Sequence, residues 1–437
     1  MKQSFVKIVF YCFIFSLPLG LRHLISESAS VYLSDIFLIL FLIYFSARFG
    51  WAFGQRLKFL AVFILLSAAS ILFSVSPALA LYSFARLLLL VWLCLTTARA
   101  LKNSAIKIGE IFGAIAVTSV FQALLATGQF LKQASFGLKW LGEPVISQTM
   151  SGVAKTVVNG GQLIRAYGTF PHPNVLSGFL LLGLAALYYF WLRRPSEYKW
   201  FSSWRNLFSD LAIGLGIFAV LSGLLFAFSR AAWALAAVLT LTAIIYGIFS
   251  KNYFRQGIRL AALSLALLSV FYLNFYSYIH SRARISADEP AVTLRVTYNQ
   301  MGLYIIKNNP LGVGIGNQVL YSAASGVYEK FGLAESWQKQ PIHNIYLLIG
   351  SEIGLLGLLT WLLFLAKSLF ASRNFFAIAM LSALLIYGLV DHFLWTLQQG
   401  QLMLWLVIGI VIGVSGEASP RSISSAPLER TLQRTDT

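Results

Sequence analysis

Twelve apolar runs of roughly 17–25 residues leave this chain little choice of fold. They fall near 4–20, 32–48, 57–75, 79–98, 108–130, 173–192, 208–228, 230–250, 259–279, 343–367, 374–392 and 394–415. A helix rising 1.5 Å per residue needs about 20 apolar residues to cross the ~30 Å hydrocarbon core. Within lipid a chain must satisfy its own backbone, and the runs are continuous rather than alternating, so they predict helices and not barrel strands. With 58% hydrophobic and 11% charged residues, against about 25% charged in globular domains, a soluble domain is excluded. The expectation is an all-α polytopic membrane bundle of about 12 transmembrane helices. Residues 1–416 form one membrane domain, and 417–437 form a Ser- and Arg-rich cytoplasmic tail expected to be disordered.

The formal charge of +18 invites a nucleic-acid reading, but the cations sit mostly in short loops beside apolar runs, which is a topological signal. With the N-terminus in the cytoplasm, the inward-facing loops hold 20 of the 33 Lys and Arg. The short outward loops are almost bare: Arg22 in the first, none in 74–78 and none around 391–395. Both termini are therefore expected inside. Cys12 and Cys94 lie within apolar runs, so no disulfide framework or Cys-based metal site is expected. The first run lacks a clear cleavage site and is read as a span rather than a signal peptide. Two outward segments are long, about 131–171 and 280–342, enough together for a lid over the membrane surface. Phe136, Leu138 and Trp140 suggest that 131–141 lies in the interface as an amphipathic stretch.

This topology puts Arg86, Arg165, Arg230, Arg282, Arg284 and Arg295 on the outer side. Fixed cations at an outer membrane surface suit an anionic headgroup such as a lipid pyrophosphate. The string Arg165-Ala-Tyr-Gly-Thr-Phe-Pro-His-Pro-Asn174 brackets His172 with prolines, a stiff turn into a helix that Asn174 is placed to cap. Arg230 sits in a tight turn between two spans, facing either the bundle interior or the outer headgroups. Arg86 lies inside its helix, where a charge is paired or functional; Asp35 is the candidate partner. The second long segment is expected to be helical from Val292 to Lys307 and to end at Pro310. Its Gly312-Val-Gly-Ile-Gly316 run follows no strand, so it reads as a turn of close backbone approach rather than a nucleotide loop. His343 stands where this segment re-enters the membrane. An imidazole there can take a proton from a hydroxyl, which arginine cannot do. Asp391 and His392 form a second, less specific polar cluster.

Four segments match, in order, the pattern of the O-antigen ligase/polymerase family. They are Arg165 to Asn174, Ser229-Arg230, Arg295 to Gly316, and His343-Asn344 through Glu352-Ile-Gly354-Leu-Leu-Gly357. The resemblance covers about 160–360. It implies a multi-pass protein of the bacterial inner membrane that transfers a glycan from undecaprenyl pyrophosphate to an acceptor hydroxyl at the periplasmic face. It further implies an inverting reaction without metal or cofactor, with Arg165, Arg230 and Arg295 on the pyrophosphate and His343 as base. Arg86, His172 and Asn174 are added as candidate substrate-binding residues. The implied partners are the lipid-linked glycan, an acceptor lipid or glycan and membrane lipids, with no nucleic acid. The outer side carries no Asp-x-Asp cluster and only one adjacent acidic pair, Asp288-Glu289, so a Mg²⁺-bridged mechanism is disfavoured. Ligation to a lipid core, polymerisation and transfer to protein remain open within the family. Polymerases are associated with Arg-x10-Gly motifs, and here Leu176 and Ile306 stand at the Gly positions after Arg165 and Arg295. Protein-directed members often carry Gln where this chain has His172. A transporter or flippase for an anionic lipid-linked substrate would instead place charges near helix midpoints.

Overall fold

The computed structural model describes residues 2–24, 30–49, 57–194, 204–283 and 289–415. Arg284, Asp288 and the tail 417–437 lie outside them. Each of the twelve apolar runs is a helix among the described residues. In chain order these are α1 (Lys2–Ser16), α2 (Leu33–Phe49), α3 (Lys58–Ser70), α4 (Pro77–Lys102), α5 (Ile108–Lys132), α6 (Pro173–Leu192), α7 (Trp204–Phe226), α8 (Arg230–Phe249) and α9 (Phe254–Ala283). Three helices of the second long segment follow, α10 (Pro290–Asn308) and the short α11 (Gln318–Ala324) and α12 (Val327–Lys330), and then α13 (Ile345–Ala371) returns to the bundle. The chain closes with α14 (Phe375–Tyr387), α15 (Phe393–Thr396) and α16 (Gln398–Gly413). Seven of these, α4 to α9 and α13, are long and apolar enough to cross a membrane; α1, α2, α3, α14 and α16 are shorter apolar helices. The architecture is an all-α polytopic membrane bundle.

Helix α6 is its axis. Its apolar window is 94% buried inside the protein, against 11% for α9 at the margin. Small residues allow this: a Cβ on Gly183 would lie 2.2 Å from the Ser119 side chain of α5, so that crossing needs glycine.

Hydrogen bonds gather the alternate helix junctions at one end of the bundle. Thr169 Oγ1 donates to Pro18 O, Arg165 Nε to Ala227 O, Ile345 N to Gly388 O and Ser76 N to Asn317 Oδ1. Both long segments lie at this end. Strands β1 (Arg22–Leu24) and β2 (Ser30–Tyr32) pair between α1 and α2, and the first long segment carries a hairpin of its own, β3 (Lys155–Val158) with β4 (Gly161–Ile164). The β3–β4 turn is Asn159-Gly160, both at positive φ, as a two-residue hairpin turn requires. The stretch 131–141 is not an amphipathic helix. Gln133, at φ 54°, ends α5, and the Glu143 carboxylate then accepts the N–H groups of Phe136 and Leu138 and folds the loop on itself.

Helix α13 breaks at Gly354 (φ 84°). The Ser351 and Glu352 carbonyls accept Val313 N and Gly314 N, while Leu355 N donates to Pro310 O. The glycine-rich turn is thereby stitched into the broken helix, the close backbone approach that its glycines permit.

Candidate functional site

Arg165 follows β4 directly, so the hairpin aims it. Its backbone N donates to Ala154 O and that of Ala166 to Phe226 O, fixing the residue between the hairpin and the α7–α8 junction. The side chain is 8% exposed. Its Nε donates to Ala227 O (2.7 Å) and its Nη2 to Asn174 Oδ1 (2.7 Å). Asn174 does not cap α6. His172 does so, its Nδ1 accepting Asn174 N (3.2 Å), with Pro173 as the first helical residue. The freed Asn174 amide instead donates to Asp391 Oδ2 (2.6 Å). Arg165, Asn174 and Asp391 thus form a buried relay across three elements.

The α7–α8 turn contributes Phe228, a non-glycine residue at φ 49°, whose ring packs on Phe130 and Trp233. That left-handed turn presents Phe228 O to Arg282 Nε (3.2 Å). Arg230 begins α8 and holds Glu289 through both guanidinium nitrogens, at 2.7 and 2.8 Å. Arg282 reaches the same carboxylate at 3.2 Å. Arg295, on α10, donates from Nε to Val390 O (3.1 Å) beside Asp391. Burial lowers the Arg165 pKa to about 10, and the charges of Arg282 and Arg295 push the same way. These like charges therefore share one field. Burial alone would raise the Glu289 pKa, but Arg230 and Arg282 hold that carboxyl below its ordinary range.

His343 stands immediately before Asn344, which caps α13 by accepting Tyr346 N and Leu347 N. Its ring stacks on Tyr298 (4.9 Å, 8° between planes) and meets His392 edge-on at 4.7 Å. Tyr298 is anchored by its hydroxyl, which donates to Gln338 O. Nδ1 of His343 lies 2.9 Å from Pro341 O. A carbonyl only accepts, so that nitrogen carries the proton in the neutral ring and Nε2 keeps its lone pair. Burial lowers the His343 pKa to about 4, with His392 and Arg295 adding to the effect and Asp391 opposing it. His172 is lowered to about 3 by burial and by Arg165. Burial works against the Asp391 carboxylate, yet the surrounding imidazoles and the Asn174 amide keep it below the usual range.

Arg165, Arg230, Arg282, Arg295, His172, Asn174 and His343 come together at this end of the bundle. Arg86 does not join them. Ten residues into α4, it pairs with Asp35 Oδ1 (3.1 Å) and donates from Nε to Gln401 Oε1 (3.1 Å). Sequence reasoning underrated Asp391 and His392, and it gave Glu289 no role toward Arg230. The adjacency of Asp391 and His392 at a helix junction was a local signal; the Arg230–Glu289 pair, 59 residues apart, had none.

Residues 215–362 match the family model described as O-antigen ligase. The match covers Arg230, Arg282, Arg295, His343 and Glu352, and leaves Arg165, Asn174 and Asp391 outside it. No curated protein matches the chain.

Proposed function

We propose that this chain, a multi-pass membrane protein with an O-antigen ligase domain at residues 215–362, transfers a glycan from a polyprenyl-pyrophosphate donor to an acceptor hydroxyl. The observation that carries the reading is a set of four arginines sharing one field with a histidine whose Nε2 is free to accept a proton. In this reading the pyrophosphate lies across Arg165, Arg230 and Arg295, whose planar forks suit phosphate oxygens. His343 Nε2 takes the acceptor proton as the acceptor oxygen bonds to the anomeric carbon from the face opposite the pyrophosphate. The bond from that carbon to the phosphate oxygen breaks, its electron pair stays with the departing polyprenyl pyrophosphate, and the configuration inverts. A pyrophosphate is already a good leaving group, so the main catalytic need is to stabilise charge growing on it. Arginines supply this without a metal, and both oxygens of Glu289, the acidic residue among them, are already taken by guanidinium groups. The site end of the bundle faces the periplasm of an inner-membrane protein, and ligation to a lipid acceptor is the favoured reaction.

The test is transfer by the purified chain in nanodiscs, from an undecaprenyl-pyrophosphate-linked glycan to a lipid acceptor, with and without EDTA. Acceptor glycosylation that survives EDTA and is lost in Arg295→Ala is expected. Elongation of the lipid-linked glycan alone would make the protein a polymerase. Failure of both reactions with folded protein would refute the reading.

A further inference from the structure

Beside the arginine cluster lies a separate cavity of about 500 Å³, within the range of small-molecule sites. It is framed by α4, α13, α16 and the β1–β2 hairpin, and none of Arg165, Arg230, Arg295 or His343 lines it. Two of its wall residues nevertheless touch the site's histidines. Pro341 O accepts His343 Nδ1 (2.9 Å), and Thr396 Oγ1 bonds His392 Nδ1 (2.6 Å). His343 therefore stands between two compartments, with cationic groups on one flank and this cavity on the other.

The cavity wall combines aromatic rings with planar polar groups held in fixed poses. Trp395 lines it, its Nε1 donating to Glu352 Oε2 (2.8 Å). Gln401 accepts Arg86 Nε and donates to Trp395 O (2.6 Å), so its amide is locked. Gln398 donates to Asp35 Oδ1 (2.6 Å), which also holds Arg86 Nη1. Arg86 itself lines the cavity between these two amides. Aromatic surface beside rigid amide, carboxylate and guanidinium groups is the chemistry that recognises a sugar ring. The apolar C–H face packs on the aromatic and the ring hydroxyls meet the planar groups.

We propose that this cavity is the acceptor subsite. It seats the saccharide unit whose hydroxyl is presented to His343, between the Trp395 ring and the wall formed by Arg86, Gln398 and Gln401. This rests on the glycan-transfer reading above and locates its second substrate. The saccharide is either that of a glycolipid acceptor or the end of a second lipid-linked glycan, and the two share this chemistry.

The experiment measures equilibrium binding to the full chain in nanodiscs. Three probes are used: a deacylated lipopolysaccharide core oligosaccharide, a free repeat-unit oligosaccharide and undecaprenyl pyrophosphate. The variants are Arg86→Gln and Val319→Trp; the second fills the cavity from α11 and leaves the Arg86–Asp35 pair intact, should the first fail to fold. We expect one of the oligosaccharides to bind the wild type and to bind both variants at least about tenfold more weakly, the first through loss of the guanidinium that fixes the Gln401 amide and the second through loss of the space. Undecaprenyl pyrophosphate affinity should not change. The core oligosaccharide binding better identifies a glycolipid acceptor, and the repeat unit binding better identifies a growing glycan. Unchanged oligosaccharide binding in Val319→Trp, no oligosaccharide binding by the wild type, or loss of undecaprenyl pyrophosphate instead would each overturn the subsite. If Arg295→Ala kept full undecaprenyl pyrophosphate affinity while the cavity variants lost oligosaccharide, the donor site would be wrong and the cavity assignment would stand.

Discussion

An exposed histidine acting as base would lose half its activity near pH 6.5, its ordinary pKa. His343 is not exposed. Burial against Tyr298 and His392, helped by Arg295, lowers its pKa to about 4. At pH 5.5 a group of pKa about 4 is about 97% neutral, whereas an unperturbed imidazole is about 9% neutral, a roughly tenfold difference in competent enzyme. The acidic limb of kcat/KM, which reports the free enzyme, should therefore stay flat from pH 8 to about pH 5 and fall only below it. Measuring the rate relative to His343→Gln at each pH cancels ionisation of the substrates. His343→Gln itself should lose about 10²–10⁴-fold, the usual contribution of a general base. In the donor complex the pyrophosphate would offset the Arg295 charge, so the limb in kcat should lie at higher pH than in kcat/KM. A limb in kcat/KM centred near 6.5, or a limb of the same shape in His343→Gln, would refute this account of the base.

Asp391→Asn removes the charge that fixes the Asn174 amide, so donor KM should rise about tenfold, with little change in expression, in a donor titration. Arg165→Lys should restore little of the transfer lost in Arg165→Ala. An ammonium cannot span Ala227 O and Asn174 Oδ1 in the fork geometry, and wild-type-like rates would remove Arg165 from the clamp. In a background lacking Cys12 and Cys94, an impermeant thiol reagent should label cysteines at Met150 and Ser325 and spare those at Asn103 and Trp200. Labelling of position 103 in intact cells would invert the topology. His172 and His343 are held neutral in the fold while an unfolded imidazole binds a proton below about pH 6.5. Stability should thus fall as pH drops from about 6.5 toward 4, visible as a lower Tm at pH 5 than at pH 7.

The helices were legible because a span must be apolar along its length, and no tertiary contact can substitute for that. Their internal breaks were harder to read. The run 394–415 reads as one span, yet the chain interrupts it at Leu397, between α15 and α16. That break carries Trp395 and Gln398 to the cavity wall, and the Gln398-Gln-Gly-Gln401 run beside it is its local signal. Arg165, Arg230, Arg295 and His343 stood out in the sequence because charge is sparse between the apolar runs, and the fold brings them to one end of the bundle. Their partners did not stand out. Glu289 chooses Arg230 and Arg282 across the α8–α10 junction, and Asn174 gives up the cap to His172 because the Pro173 ring takes the first helical position. The first choice is settled by the packing of distant elements, which no window of sequence contains; the second is local, and Pro173 was its signal.

The same pairings explain how four guanidinium groups coexist at one end of a bundle without a ligand. Like charges in a partly desolvated site destabilise it unless each finds an oxygen. Arg230 and Arg282 share the Glu289 carboxylate, Arg165 holds Ala227 O and the Asn174 amide oxygen, and Arg295 holds Val390 O. The two oxygens on Arg165 are neutral, and a phosphate oxygen adds a Coulomb attraction that they lack. A pyrophosphate reaching Arg165 therefore improves on the oxygens it displaces there. At Arg230 it must compete with a carboxylate of equal charge type. In the proposed donor complex Arg165 therefore gains more from the exchange than Arg230, which meets the phosphate in competition with Glu289.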